Sequence, residues 1–288
     1  MDYDIVIIGS GVAGLTSGIY ASRANKSVLI IEDSFLGGTT ATLEKIDNYP
    51  AVLNASGIEL VQNMYMQNIN FGTEFDFSSI NSIDFDKNVI VTDNNSYYYK
   101  ALIIATGSSP NRLKVANEKD FRAKGLSYCA ICDGNLYKDK KVIVVTNNNS
   151  AKHTIDYLSN LTKDLVIVDI ENGYKNNELK VFNNIIPQRI DGTTKVNSLE
   201  FVCQGKNQKI DCDGIFVDLG KSTNIDLFKN KLTTEQGFIC SDENMRTNIE
   251  NVFVAGDVRK KSLRQIVTAC SDGAIASTQA IKFLNSKK

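Results

Sequence analysis

A single histidine, His153, stands among the 288 residues. A structural zinc site normally takes four ligands, most often Cys and His. With one histidine, distant from the one closely spaced cysteine pair, and no second pair, the sequence argues against a zinc site. Charge of one sign is also missing. The formal net charge is -1, which offers nothing to attract nucleic acid or an anionic membrane. No apolar run reaches the length a bilayer needs. The N-terminus, Met1-Asp2-Tyr3-Asp4, has no basic segment before its apolar run, so no signal peptide is expected and a cytoplasmic protein is. Six cysteines are too few and too scattered for a disulfide scaffold, and Cys203, Cys212, Cys240 and Cys270 read as free thiols. Hydrophobic residues at 42% and charged residues at 23% leave an ordinary globular chain, long enough for about two domains.

What remains is concentrated. Cys129-Ala130-Ile131-Cys132-Asp133-Gly134 places two thiols at the spacing that closes a small disulfide ring. In a reducing compartment such a pair is redox-active or a metal clip. The absent second ligand pair favours redox.

Along the chain, Asp4 to Ile8 is a short β-branched run that predicts a buried parallel strand. Gly9-Ser10-Gly11-Val12-Ala13-Gly14 follows, then a helix to Arg23 and a second strand from Ser27 to Ile31 that ends at Glu32. Glycines between a strand and a helix, with an acidic residue about 20 positions on, form the dinucleotide fingerprint. Gly9 permits the tight turn, Gly11 admits a pyrophosphate, and Gly14 lets helix and strand close up. The helix N-terminus stabilises phosphate charge, and Glu32 can accept from ribose hydroxyls. Residues 57–71 predict an amphipathic helix with Ile58, Val61, Met64 and Tyr65 on one face. Alternating runs from Glu74 to Tyr99 predict a small antiparallel sheet, and Ala101 to Ala105 another buried strand. A second βαβ unit spans Lys141 to Asp169, and a final strand at Val252 to Ala255 precedes a closing helix. The fold class is therefore α/β, with two Rossmann-like three-layer domains.

Taken together, Gly9-x-Gly11-x-x-Gly14, Gly37-Gly38 through Asn48-Tyr49-Pro50, Ala105-Thr106-Gly107, the Cys129–Gly134 motif, Gly256-Asp257-Val258-Arg259 and Arg264-Gln265-Ile266 resemble the low-molecular-weight thioredoxin reductases over nearly the whole chain. The resemblance implies a discontinuous FAD domain, residues 1–112 and 241–288, with an inserted central domain, 113–240, that carries the redox disulfide. It also implies a homodimer. Carried over position by position, it implies FAD contacts at Gly9, Gly11, Val12, Ala13, Gly14, Glu32, Asp33, Gly38, Thr39, Thr42, Asn48, Ala105, Thr106, Gly107, Gly256, Asp257, Arg264, Gln265 and Ile266. Asp257 would bond the ribitol, and Asn48 with the 264–266 segment would border the ring. Cys132 would face the flavin and Cys129 would attack thioredoxin. Asp133 would be the proton donor, with an N-cap role for the following turn as the competing reading.

One departure matters. Where the family carries a second glycine loop for NADPH, this chain has Thr146-Asn147-Asn148-Asn149-Ser150-Ala151, and where it carries a basic cluster this chain has Asp169-Ile170-Glu171-Asn172. Side chains then stand where a pyrophosphate needs bare backbone, and carboxylates face the NADP phosphate. NADH remains open only if Asp169 or Glu171 holds a free 2′-hydroxyl. The resemblance narrows to the ferredoxin-dependent flavin thioredoxin reductases. Ferredoxin would then be the donor, docking on the basic run at Lys260 and Lys261. The alternatives are an NAD(P)H-dependent reductase with an atypical nucleotide site, a flavin-dependent dithiol oxidase using oxygen, and a non-enzymatic flavin-binding module.

Overall fold

In the chain's computed structural model, residues 1–122, 124–147, 151–176 and 178–287 are described. The chain folds as two compact units, Met1–Ser109 with Thr223–Lys288, and Pro110–Ser222.

In the first unit, β1 (Asp2–Ile8) leads into α1 (Val12–Arg23) and β2 (Val28–Ile31). A short turn of helix, α2 (Gly38–Ala41), and the longer α3 (Gly57–Asn70) follow. Ser56 and Glu59 form a reciprocal capping box at the start of α3. Val61 and Met64 bury as the periodicity predicts, but Ile58 is exposed, because it sits in the first turn away from the sheet. The strands β3 (Glu74–Asp76), β4 (Ile80–Asp84), β5 (Val89–Thr92) and β6 (Ser96–Ile104) complete the first segment. The small antiparallel sheet expected here is not separate. β6 is long enough to pair antiparallel with β5 at one end and parallel with β1 along its length. β3, β2, β1, β6, β5 and β4 thus lie in that order in one sheet. From Ile5 on, β1 alternates faces: Ile5 and Ile7 enter one core, Val6 and Ile8 the other. That two-sided burial is why the strand is apolar at successive positions.

The second unit holds β7 (Leu126–Ser127), α4 (Ala130–Asp133), β8 (Val142–Thr146), α5 (Lys152–Ser159), β9 (Leu165–Asp169) and β10 (Lys180–Phe182). An antiparallel trio follows, β11 (Ile185–Gly192), β12 (Val196–Cys203) and β13 (Lys206–Asp211), and then β14 (Gly214–Asp218). The parallel sheet runs β10-β9-β8-β14-β7. Ile143 and Val145 of β8 enter one core and Val142 and Val144 the other.

The chain then returns to the first unit. The division falls at 222/223 rather than near residue 240. Phe228, Leu232 and Ile239 are buried with Tyr3, Val6 and Leu102 against the first unit's sheet, which draws this stretch to it. A hairpin, β15 (Thr234–Glu235) with β16 (Phe238–Ile239), precedes β17 (Val252–Val254) and α6 (Ile266–Ser286). β17 pairs parallel with the far end of β6. Among the described residues no helix is long and apolar enough to cross a membrane.

Candidate functional site

The loop after β1 has the geometry its glycines demand. Gly9 adopts φ +100°, and a Cβ there would lie 2.5 Å from the carbonyl oxygen of Ala105. A Cβ on Gly14 would lie 1.9 Å from the Gly9 carbonyl oxygen, so helix and turn approach closer than any side chain allows. A Cβ on Gly11 would meet nothing within 4 Å, which leaves its backbone open to approach. No side chain caps the N-terminus of α1, and its first turn carries no acidic residue. Val12 and Ala13 contribute backbone there while their side chains pack in the core. These are the features a pyrophosphate requires: exposed N–H groups, a positive helix end and bare backbone.

Around this loop the fold collects the other expected positions. Gly37 bridges Gly11, and its N–H donates to Ser10 O at 3.1 Å. Gly38 lies beside Gly11. Ala105 N–H donates to Ile8 O at 2.8 Å, so Ala105-Thr106-Gly107 flanks Gly9. The hydroxyls of Thr106 and Ser108 and Asp257 Oδ1 are buried without hydrogen-bond partners. A ligand rich in hydroxyl and phosphate groups satisfies such atoms, and together with the glycine cradle they fit a flavin dinucleotide. Glu32 is buried at the end of β2 and already accepts from Ser10 N–H, Ser10 Oγ and Ser34 N–H. It therefore ties the two loops together, with acceptor capacity to spare. Asp33, Thr39 and Thr42 are exposed. Asn48 Nδ2 donates to Gln265 Oε1 at 3.1 Å, joining residues 217 positions apart. Gln265 caps α6, whose first residue is Ile266.

The basic run after Asp257 does not form the free patch expected of it. Lys261 is buried; its Nζ donates to Asp272 Oδ2 at 2.8 Å and lies 3.7 Å from Asp257 Oδ1. Arg259 donates to Asp272 Oδ1 at 3.1 Å. Lys260 pairs with Glu235 at 2.5 Å on the surface. The Arg264 guanidinium lies 4.1 Å from the Phe238 ring centroid and donates to the carbonyls of Asp257, Lys261 and Arg259. It therefore fastens the loop rather than projecting from it. Burial holds its pKa below the ordinary guanidinium value. Asp272 was not foreseen. Its only trace in sequence is a carboxylate within the small-residue run Ala269-Cys270-Ser271-Asp272-Gly273.

In the second unit, Cys129 and Cys132 are bonded, with Cα atoms 5.3 Å apart. Cys129 caps α4, and its Sγ accepts from Cys132 N–H at 3.2 Å. Cys132 is exposed and Cys129 half-buried. Asp133 makes no cap bond; its Oδ2 accepts from Ser127 Oγ at 2.5 Å. The same Ser127 oxygen accepts from Cys129 N–H at 3.0 Å. Next to Cys129, Tyr128 donates to the buried Glu118, which also accepts from Leu113 and Lys114 N–H at 2.7 Å each. Burial, then the Glu118 bond, push the Tyr128 phenol well above its ordinary value. Sequence reasoning missed Ser127, Tyr128 and Glu118, since nothing about their spacing marks them.

At the carboxyl end of that unit's sheet, Thr146 ends β8, and Asn148, Asn149 and Ser150 lie outside the described residues. Asp169 ends β9 fully buried. Its carboxylate accepts from the N–H groups of Glu171, Gly173 and Tyr174 at 2.8–3.1 Å. Asp169 is thus committed to its own turn and is not the surface carboxylate that the sequence implied; Glu171 is exposed. His153 is exposed on α5.

Residues 3–273 match the family model described as pyridine nucleotide-disulphide oxidoreductase. The chain is 37% identical to a thioredoxin reductase of Peptoclostridium acidaminophilum, over 98% of this chain and 97% of that one. It is similar to the crystal structure of the Streptococcus pyogenes thioredoxin reductase, with TM-score 0.93, 33% identity and 99% of each chain covered. A ferredoxin-flavin thioredoxin reductase from Clostridium acetobutylicum is also similar, at 27% identity and TM-score 0.57 over 100% of this chain and 99% of that one.

Proposed function

The chain belongs to the pyridine nucleotide-disulphide oxidoreductases, as a low-molecular-weight thioredoxin reductase that binds FAD, and from that premise we propose that its electrons reach thioredoxin from a ferredoxin-class donor rather than from NADPH. The observation that carries the reading is the second Rossmann edge. The sequence after β8 reads Thr146-Asn147-Asn148-Asn149-Ser150-Ala151, without a glycine, and Asp169 at the end of β9 is sealed by three backbone amides. The similarity to the Clostridium acetobutylicum ferredoxin-flavin enzyme adds weight. So does the energetics. Plant-type ferredoxins lie near about -400 mV and thioredoxin near about -270 mV, a gap of roughly 130 mV, or about 6 kcal/mol for two electrons.

In this reading FAD, held by Gly9, Gly11, Gly14, Glu32, Ala105–Gly107 and Asp257, supplies the coupling between a one-electron donor and a two-electron disulfide. The protein's own residues do the rest. Reduced Cys129 attacks one sulfur of the thioredoxin disulfide, and thioredoxin's other sulfur leaves as a thiolate. Cys132 then attacks Cys129 Sγ, which re-forms the Cys129–Cys132 bond and releases thioredoxin as a dithiol. The Cys132 N–H steadies negative charge on Cys129 Sγ. Asp133, held by Ser127, stands ready to give a proton to the departing sulfur. A homodimer belongs to the same reading, and exposed Tyr20, Met66, Ile69 and Phe71 along α1 and α3 give it apolar surface.

The second reading, a pyridine-nucleotide-driven reductase, is favoured by the names of the relatives, which are simply thioredoxin reductases, and by the higher TM-score of the Streptococcus pyogenes structure. Anaerobic addition of NADPH, NADH or reduced ferredoxin to the purified protein separates the two. Flavin bleaching by ferredoxin alone supports the first, and fast bleaching by micromolar NADPH establishes the second.

A further inference from the structure

We propose that Asp272, on α6, is a positioning residue for the flavin site, setting both its affinity and its potential by neutralising the cations behind Asp257. Asp272 is 5% exposed. Its Oδ2 accepts from Gly256 N–H at 3.1 Å and from Lys261 Nζ at 2.8 Å, and its Oδ1 accepts from Arg259 Nη1 at 3.1 Å. One carboxylate therefore binds the backbone immediately before Asp257 and two cations shortly after it, the buried Lys261 side chain and the partly buried Arg259.

The turn it holds has little freedom of its own. Gly256 has φ +79°, and a Cβ there would lie 2.8 Å from Ala13 Cβ, so the turn is pressed against the start of α1. Asp257 Oδ1 is buried without a hydrogen bond, and Lys261 is the cation nearest it, at 3.7 Å. Lys261 and Arg259 together carry two positive charges into this enclosed region, and Asp272 offsets one directly. Removing that carboxylate leaves uncompensated buried charge, which loosens the turn. It also makes the local field more positive, which favours electrons on a flavin bound against Asp257. Removing Lys261 alone does the opposite.

The inference rests on the placement of FAD against Asp257. Its test uses apoprotein reconstituted with FAD and four variants. Asp272→Asn should bind FAD at least about tenfold more weakly and shift the flavin midpoint potential upward. Lys261→Met should shift the potential downward. The Lys261→Met/Asp272→Asn double variant should return it close to the parent value, whatever its thermal stability. A merely structural role would lower stability in all three without this ordering of signs. If Asp272→Asn and Lys261→Met leave the potential unmoved, or move it the same way, the proposal is overturned. Asp257→Ala separates the premise from the inference. Parent-like FAD affinity in that variant means the placement fails and takes the role of Asp272 with it. Weakened affinity with no ordered shifts means the placement holds and Asp272 alone was misread.

Discussion

The carboxylate of Asp169 accepts the backbone N–H of Tyr174 at 2.8 Å, which turns an apparent ribose acceptor into the anchor of a tight turn. NADPH and NADH at millimolar levels should therefore leave the flavin oxidised under anaerobic conditions, as followed by its visible absorbance. Asp169→Ala should not restore or abolish any nucleotide response. It should lower stability instead, by about 1–3 kcal/mol, since three backbone donors, that of Tyr174 buried, lose their acceptor. Denaturant unfolding measures this.

The sulfur pair has an asymmetric setting: Cys129 receives the Cys132 amide and Cys132 is exposed. Cys129→Ser should keep flavin reduction by the donor and abolish thioredoxin turnover. Cys132→Ser should do the same, because loss of either sulfur removes the disulfide through which the reduced flavin is reoxidised. Stopped-flow absorbance with and without oxidised thioredoxin checks both, since the flavin should stay reduced in each variant. Normal turnover in both variants would mean that the pair is structural.

Lys260 and Lys261 are neighbours in sequence with different surroundings. Lys261→Glu would set a third carboxylate beside Asp257 and Asp272 and should cost about 3 kcal/mol or more. Lys260→Glu breaks an exposed pair with Glu235 and should change stability by less than about 1 kcal/mol. Thermal unfolding checks both. Only Lys260→Glu is then a fair probe of ferredoxin steering. A slower reduction at low salt that converges with the parent at high salt would place the donor near it.

Burial pushes the Cys212 thiol up to about 12, from an ordinary 9.0. The folded value is the higher one, so this group's contribution is intact below pH 9.0 and is lost as pH rises toward about 12. Cys212→Ala should flatten the alkaline loss of stability. In the native parent at pH 8, iodoacetamide should spare Cys212, and peptide mass spectrometry should find it labelled only after unfolding.

The features legible in the sequence are those whose requirement is local. Gly9 is fixed by its positive φ and Gly14 by its approach to the Gly9 carbonyl, both within one βα turn, and two cysteines three apart either close a ring or do not. Lys261 looked like surface charge because its partner, Asp272, is 11 residues further on and reaches it only when α6 docks. Asp169 misled for the converse reason. Its position after a strand matches a ribose acceptor, but the following turn folds back and consumes it. The break at 222/223 was hidden because Phe228, Leu232 and Ile239 are too widely spaced to read as one element, and only the sheet they pack on unites them.

The pairing of β17 with β6 sets an order on synthesis. Leu102, Ile103 and Ile104 leave the ribosome long before Val252, Phe253 and Val254, their partners on that edge. Until those arrive, a nascent chain carries an open, wholly apolar strand edge, the kind that recruits other chains. The uninterrupted middle unit, Pro110–Ser222, can close first. A chain truncated before residue 252 should accordingly keep a folded middle and aggregate through its first segment.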